Sequence, residues 1–154
     1  MGADDVLYHV GFAPSALPPG TRVALLSGDP ERSEAIATDR LADGRELARR
    51  RGLDAFSARL PGGAPVLCAT SGMGAPSASI VVNELVQAGI DTIIRIGTSG
   101  SIQPRVRAGS IVIVQGALTN QGAASDIAPA EFPAAADPHL VVALADAARG
   151  EAPL

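Results

Sequence analysis

Apolar positions in this chain fall into two rhythms, short unbroken runs and one helical stripe. Arg22–Leu26 is a short apolar run suited to a strand, broken by Ser27–Pro30, after which Glu31–Thr38 can open a helix. Ala55–Leu60 alternates apolar and polar residues, as a half-buried strand does, and Pro61–Gly62–Gly63 is a turn. Val66–Ala69 and Thr92–Ile96 are apolar enough for buried strands, and Ser110–Gln115 makes a further strand. Between Val66–Ala69 and Thr92–Ile96, Pro76 suits the first turn of a helix and Gly89 its C-terminal cap. Ile80, Val81, Leu85 and Val86 supply its apolar stripe. Gln121–Asp137, rich in Ala and Pro, is expected to be irregular, and Leu140–Arg149 forms a last helix ended by Gly150 and Pro153. Strands alternating with helices imply an α/β layer fold: a largely parallel or mixed central sheet flanked by helices, in a single domain over residues 1–154.

Composition narrows the function. With 154 residues, 47% hydrophobic and 18% charged, the chain has the makings of a globular core. A net charge of -4 gives no electrostatic reason to bind nucleic acid or an anionic membrane, and 3% aromatics with no Trp leave few platforms for base stacking. The amino terminus has no signal-peptide pattern and no apolar stretch is long enough to span a bilayer, so a soluble, cytoplasmic protein is expected. All 12 basic residues are Arg. Without Lys there is no Schiff-base chemistry and no Walker-type lysine, so any bound phosphate must be held by Arg and backbone amides. Cys68 is the single cysteine and lies in an apolar run, which reads as a small core residue. No residues have metal-ligand spacing, and no nucleophile elbow is present.

Ligands of open α/β sheets bind where loops leave the carboxyl ends of strands, and three loops qualify. In Ser27–Arg32, Gly28 allows close backbone approach, the following helix start offers amides, and Arg32 adds a fork of donors matched to phosphate. The alternative is a plain turn with a solvated arginine. Gly72–Ser77 begins like a dinucleotide fingerprint. Its third glycine position is Ser77, however, and no acid follows the next strand, so a Rossmann NAD site is not expected. In Arg95–Gly100, a charge within an apolar strand is costly unless paired. It is either a structural ion pair, for example with Asp29, or an anion ligand flanked by the hydroxyls of Thr98 and Ser99. Arg49–Arg50–Arg51 reads on spacing alone as a solvated basic run, and His9 and His139 as ordinary hydrogen-bonding residues.

Taken together these segments resemble the uridine phosphorylase branch of the nucleoside phosphorylase superfamily. The resemblance is carried by Tyr8–Gly11, by Gly28–Asp29–Pro30 with Arg32, and by Ser71–Ser77. It continues through Arg95–Gly100 with Ile102–Gln103–Pro104, then Ala128–Pro129 with Glu131–Phe132–Pro133. It implies a pentosyltransferase that splits a nucleoside, uridine by preference, into free base and ribose 1-phosphate. Inorganic phosphate would be the co-substrate, with no other cofactor and no metal. Gly28, Arg32, Arg51, Arg95 and Thr98 would bind phosphate, with Arg95 and Thr98 at the reacting centre, and His9, Thr98 and Ser99 would face the ribose. It further implies a homo-oligomer whose active sites are shared across a dimer interface, with His9 and Arg51 lying away from their own chain's site. Arg49 and Arg50 compete with Arg51 for its role. The family's acidic residue after this arginine, which in some relatives helps bind a monovalent cation, is Gly52 here, and this argues against such a cation site. The chain stops before the base-reading segment that the resemblance leads one to expect. The expectation that follows is little or no phosphorolysis by residues 1–154 alone, the alternative being a non-catalytic remnant that binds phosphate or only oligomerises.

Overall fold

The computed structural model describes residues 2–119 and 122–151. It divides into two compact units, the first ending at Thr98 and the second beginning at Ser99. The first unit contains a five-stranded sheet built from β1 (Val23–Ser27), β2 (Ala42–Ala48), β3 (Ala55–Arg59), β4 (Pro65–Thr70) and β5 (Thr92–Ile96), in the spatial order β2-β3-β4-β1-β5. Between these strands lie α1 (Pro30–Ala35), continued by a π-helical turn at Ile36–Arg40, and α2 (Gly74–Gln87). The sheet is mixed. β1 runs parallel to both β4 and β5, whereas β3 is antiparallel to β2 and to β4.

Period-2 alternation sorts the strand side chains onto two faces. Ala24, Leu26, Ala55, Leu67 and Ala69 join Leu7, Val10, Phe12, Val81, Leu85 and Ile90 in one cluster, beneath α2 and the amino-terminal loop. Phe56, Ala58, Val66 and Cys68 form the other with Ala37, backed by Val23, Leu25 and Ile36. Cys68 is buried, as its apolar run implied, and burial pushes its thiol up to about 11, which makes it inert at neutral pH. β3 was expected to be half-buried. Ala55–Ala58 are all buried because both sheet faces are covered there, and Ser57 is buried with them.

One strand was not expected, and two expected elements differ in burial. β2 had no apolar signature: Ala42–Glu46 are exposed, and the strand exists through pairing with β3 across two register shifts. Gly44 is required there, because a Cβ would lie 2.4 Å from the Ala37 carbonyl oxygen. α2 buries Val81, Glu84 and Leu85, while Ile80 and Val86 are 41% and 58% exposed, so the stripe is narrower than expected and contains an acid. β5, expected to be buried, is an edge strand, half-buried at Thr92–Ile94 and exposed at Arg95 and Ile96. The cap did form as expected: Gly89 has φ +92°, and the amides of Gly89 and Ile90 donate to Val86 and Leu85 carbonyls at 3.0 Å each.

In the second unit, Ser110–Gln115 forms no strand. Its Ile111, Val112 and Val114 are exposed, and pairing is limited to a single antiparallel bridge, Gly116 to Ala135. An apolar run becomes a strand only when a neighbour takes its backbone hydrogen bonds. The stretch expected to be irregular contains the short helix α3 (Gly122–Ser125); Gln121 lies outside the described residues. α4 (Pro138–Glu151) begins at Asp137, whose Oδ1 accepts the amides of His139 at 2.9 Å and Leu140 at 3.0 Å. Gly150 lies inside this helix instead of ending it, and Pro153 lies outside the described residues.

Candidate functional site

Strand register assembles the site. β1 pairs Ser27 with Thr70 of β4 and with Ile96 of β5, so the carboxyl ends of three parallel strands stop in one row. The loops that follow, at Gly28, Ser71–Gly72 and Gly97–Thr98, therefore emerge side by side. The Ser71 amide donates to the Ser27 carbonyl at 2.7 Å and ties two of them together. The cleft above this row has a volume of about 860 Å³. Gly28, Arg32, Arg51, Arg95 and Thr98 all line it, alongside Gly72, Ser77 and Gly97.

Glycines set the approach distances. A Cβ on Gly28 would stand 3.1 Å from Arg95 Nη2, and one on Gly97 would stand 2.8 Å from Arg95 Nη1. The guanidinium therefore lies across two backbone surfaces that only glycine leaves open. Gly72, at φ +66°, would bring a Cβ to 2.6 Å from Ser77 Oγ, and that hydroxyl donates to the Ser71 carbonyl at 2.7 Å. The glycine loop that began like a dinucleotide fingerprint is thus folded tightly on itself.

Arg95 makes no ion pair among the described residues, with Asp29 or with any other acid. Asp29 instead caps α1, its Oδ1 accepting the Glu31 amide at 3.0 Å. That removes one amide that a ligand was expected to use, and α1 is only six residues long. Arg32, half-buried on α1, likewise has no carboxylate partner among the described residues. Two guanidinium groups without counter-charges at one cleft are an environment for an anion with several oxygens.

Of the three consecutive arginines, Arg49 parts from the other two. Arg49 reaches Glu34, Glu46 at 2.8 Å and Asp54 at 3.1 Å, and its guanidinium stands 5.3 Å over the Phe56 ring. Hydrogen bonding to Glu34 and then Glu46 holds it still more firmly protonated than usual. Arg50 and Arg51 stand 5.2 and 5.4 Å over the same Tyr8 ring, with the Arg50 stem under Gly11. Arg51 alone of the three lines the cleft. It was expected to lie away from its own chain's site. A left-handed turn prevents that, with Arg51 at φ 57°, Gly52 at φ 72° and the Leu53 amide donating to the Arg50 carbonyl at 2.8 Å.

His9 does not line the cleft. Its amide and the Val10 amide donate to the Glu84 carboxylate, and its Nδ1 lies 2.6 Å from Glu84 Oε1. Ser99 is exposed and begins the second unit. Glu84 was overlooked in the sequence, although a signal existed: an acid beside Leu85 and three residues after Val81 stands in a buried stripe and needs partners, by the same reasoning applied to Arg95. No group of three or more metal-ligating side chains occurs among the described residues, and none of their helices is long and apolar enough to cross a membrane.

Residues 22–153 match the model of the phosphorylase superfamily. The uridine phosphorylase of Salmonella typhimurium is 42% identical over 150 residues, 97% of this chain and 57% of that protein. That of Escherichia coli is 41% identical over the same shares. A guanosine phosphorylase of Halorubrum lacusprofundi is 34% identical over 126 residues, 82% of this chain and 52% of that protein. The chain thus spans little more than half the length of these relatives.

Proposed function

Because the chain belongs to the phosphorylase superfamily, we propose that it serves nucleoside phosphorolysis, with uridine as substrate and inorganic phosphate as co-substrate. The observation that carries this reading is the meeting of Arg32 and Arg95 at one cleft with Gly28 and Thr98, neither arginine paired with a carboxylate among the described residues. Uridine is favoured over a purine nucleoside because the relatives at 41–42% identity are named uridine phosphorylases.

In the reaction a phosphate oxygen forms a bond to C1′ of the ribose as the bond from C1′ to the base nitrogen breaks. The bonding pair leaves with the base, which takes up a proton. No protein nucleophile is needed. Arg32, Arg51 and Arg95 hold the phosphate, and the Thr98 hydroxyl lies where phosphate and sugar meet. Catalysis comes from orientation, and from anionic oxygens facing the positive charge that develops on the sugar. His9 lies outside its own chain's cleft, so its contact with ribose is made in a second copy, within a cytoplasmic homo-oligomer. For Arg51 the reading is supported by its lining its own chain's cleft, with its guanidinium over Tyr8.

Calorimetric titration of the chain with inorganic phosphate and with ribose 1-phosphate tests this reading. Ribose 1-phosphate should bind more tightly than phosphate, because Thr98 adds contacts to the sugar. Equal affinities would reduce the chain to a phosphate binder and overturn the assignment. Measurable uracil release from uridine that proceeds without phosphate as fast as with it would overturn it in favour of hydrolysis.

A further inference from the structure

Glu84 is a buried acid for which the cleft chemistry has no use. It projects from the covered face of α2, 8% exposed, among Val81, Leu85 and the loop at Leu7–Phe12. Its two oxygens receive the His9 amide at 3.0 and 3.1 Å and the Val10 amide at 2.9 Å, and Oε1 stands 2.6 Å from His9 Nδ1. An ionised carboxylate has no proton to give and can only accept. The backbone amides favour that ionised form: burial pushes the carboxyl up, but the Val10 amide, the His9 ring and the His9 amide outweigh it and the net shift is downward. Nδ1 of His9 must therefore carry the proton of this contact. In the neutral ring Nε2 is then left with a bare lone pair. The ring stays one-third exposed, the Tyr8 ring stands edge-on at 4.9 Å, and no described residue bonds to Nε2.

We propose that Glu84 is a positioning residue: it fixes His9 as the Nδ1–H tautomer and so presents Nε2 to a hydroxyl donor as an acceptor. Resting on the phosphorylase reading, that donor is a sugar hydroxyl of a nucleoside bound by a second copy of the chain. The selectivity follows from the tautomer. A bare Nε2 accepts from an alcohol and offers nothing to a group that can only accept, so the contact favours the free hydroxyl of a nucleoside over the phosphorylated position of a nucleotide.

The test is long-range proton–nitrogen NMR of the imidazoles in the ¹⁵N-labelled full chain, at a pH where both rings are neutral. Only His9 and His139 contribute, and His139→Gln assigns them. His9 should show a protonated Nδ1 and a bare Nε2, unlike exposed His139. In Glu84→Gln, the carboxamide oxygen stays with the two amides and its NH2 faces Nδ1, so the proton should move to Nε2 while backbone shifts elsewhere hold. A wild-type His9 protonated at Nε2, or one matching the His139 pattern, overturns the proposal. So does a Glu84→Gln variant that is folded and keeps the wild-type tautomer. Should the variant fail to fold, the wild-type spectrum decides alone. The measurement uses no substrate, so failure of the phosphorolysis reading would leave the tautomer result standing, and the reverse also holds.

Discussion

The β2–β3 edge and the strand-end cleft both hold arginines and treat them in opposite ways. At the edge, Arg49 is surrounded by Glu34, Glu46 and Asp54 and lies over Phe56. In the cleft, Arg32 and Arg95 have no carboxylate among the described residues, and glycines clear the space around Arg95. The same group is a structural tie in one place and an open donor in the other. The difference lies in the neighbours, and counting arginines along the chain would not find it. A protein that leaves cationic groups together without partners forgoes the ion pairs available to it, which is expected where a ligand supplies the counter-charge.

The largest effect should come from the cleft. Arg95→Ala and Arg32→Ala should each weaken inorganic phosphate binding by about 10- to 100-fold, the scale of one lost charge-assisted interaction. The thermal midpoint should stay near wild type. Calorimetry and a melting curve on the same samples check both halves. Loss of stability without loss of binding would place these arginines with Arg49.

Arg49→Ala should do the reverse. Asp54 is buried and would lose its guanidinium partner, so Tm should fall by several degrees while phosphate affinity holds. A variant that melts normally but no longer binds phosphate would erase the contrast between the two regions. A smaller change sharpens it. In Gly28→Ala the new methyl would press on Arg95 Nη2 at 3.1 Å. The guanidinium can swing away, so stability should hold and phosphate affinity should drop about threefold, well short of losing a whole charge-assisted interaction. Unchanged affinity would mean that the guanidinium position over Gly28 is immaterial.

The smallest effect depends on pH. The folded-state value of Glu84 lies below its ordinary one, so its contribution is complete above the unfolded range near ~4.3 and is lost as pH falls through the lower folded value. Protection against hydrogen exchange at the His9 and Val10 amides, taken relative to the intrinsic rate at each pH, should be high at neutral pH and should fall in acid before that of the sheet amides. A uniform loss of protection across both would show that the loop has no separate dependence on Glu84.

What the sequence revealed follows from what each element relies on. β1, β4 and β5 are runs of branched or apolar residues that report themselves, and the loops after them carry Gly28, Arg32, Arg95 and Thr98 in view. β2 relies on pairing with β3 and has almost no buried side chain, so nothing in Ala42–Ala48 announces it. Ser110–Gln115 fails in the opposite sense, being apolar enough for a strand but without a ladder. Arg49 and Arg51 are two positions apart and indistinguishable by spacing. A left-handed turn sends one to the cleft while acids on α1, β2 and the β2–β3 turn hold the other. Glu84 was legible in principle as an acid in a buried stripe, but its partners, two amides some 75 residues away, were not.

The most direct measurement follows the arginine side chains themselves. Inorganic phosphate titrated into the ¹⁵N-labelled chain, with the Nε–H resonances assigned through single Arg variants, reads each guanidinium separately. Arg32 and Arg95 should shift together along one saturable curve, while Arg49, already held by its carboxylates, stays where it is. Resonances of Arg32 and Arg95 that do not move, or an Arg49 that moves with them, would contradict the assignment of the strand-end cleft as the anion site.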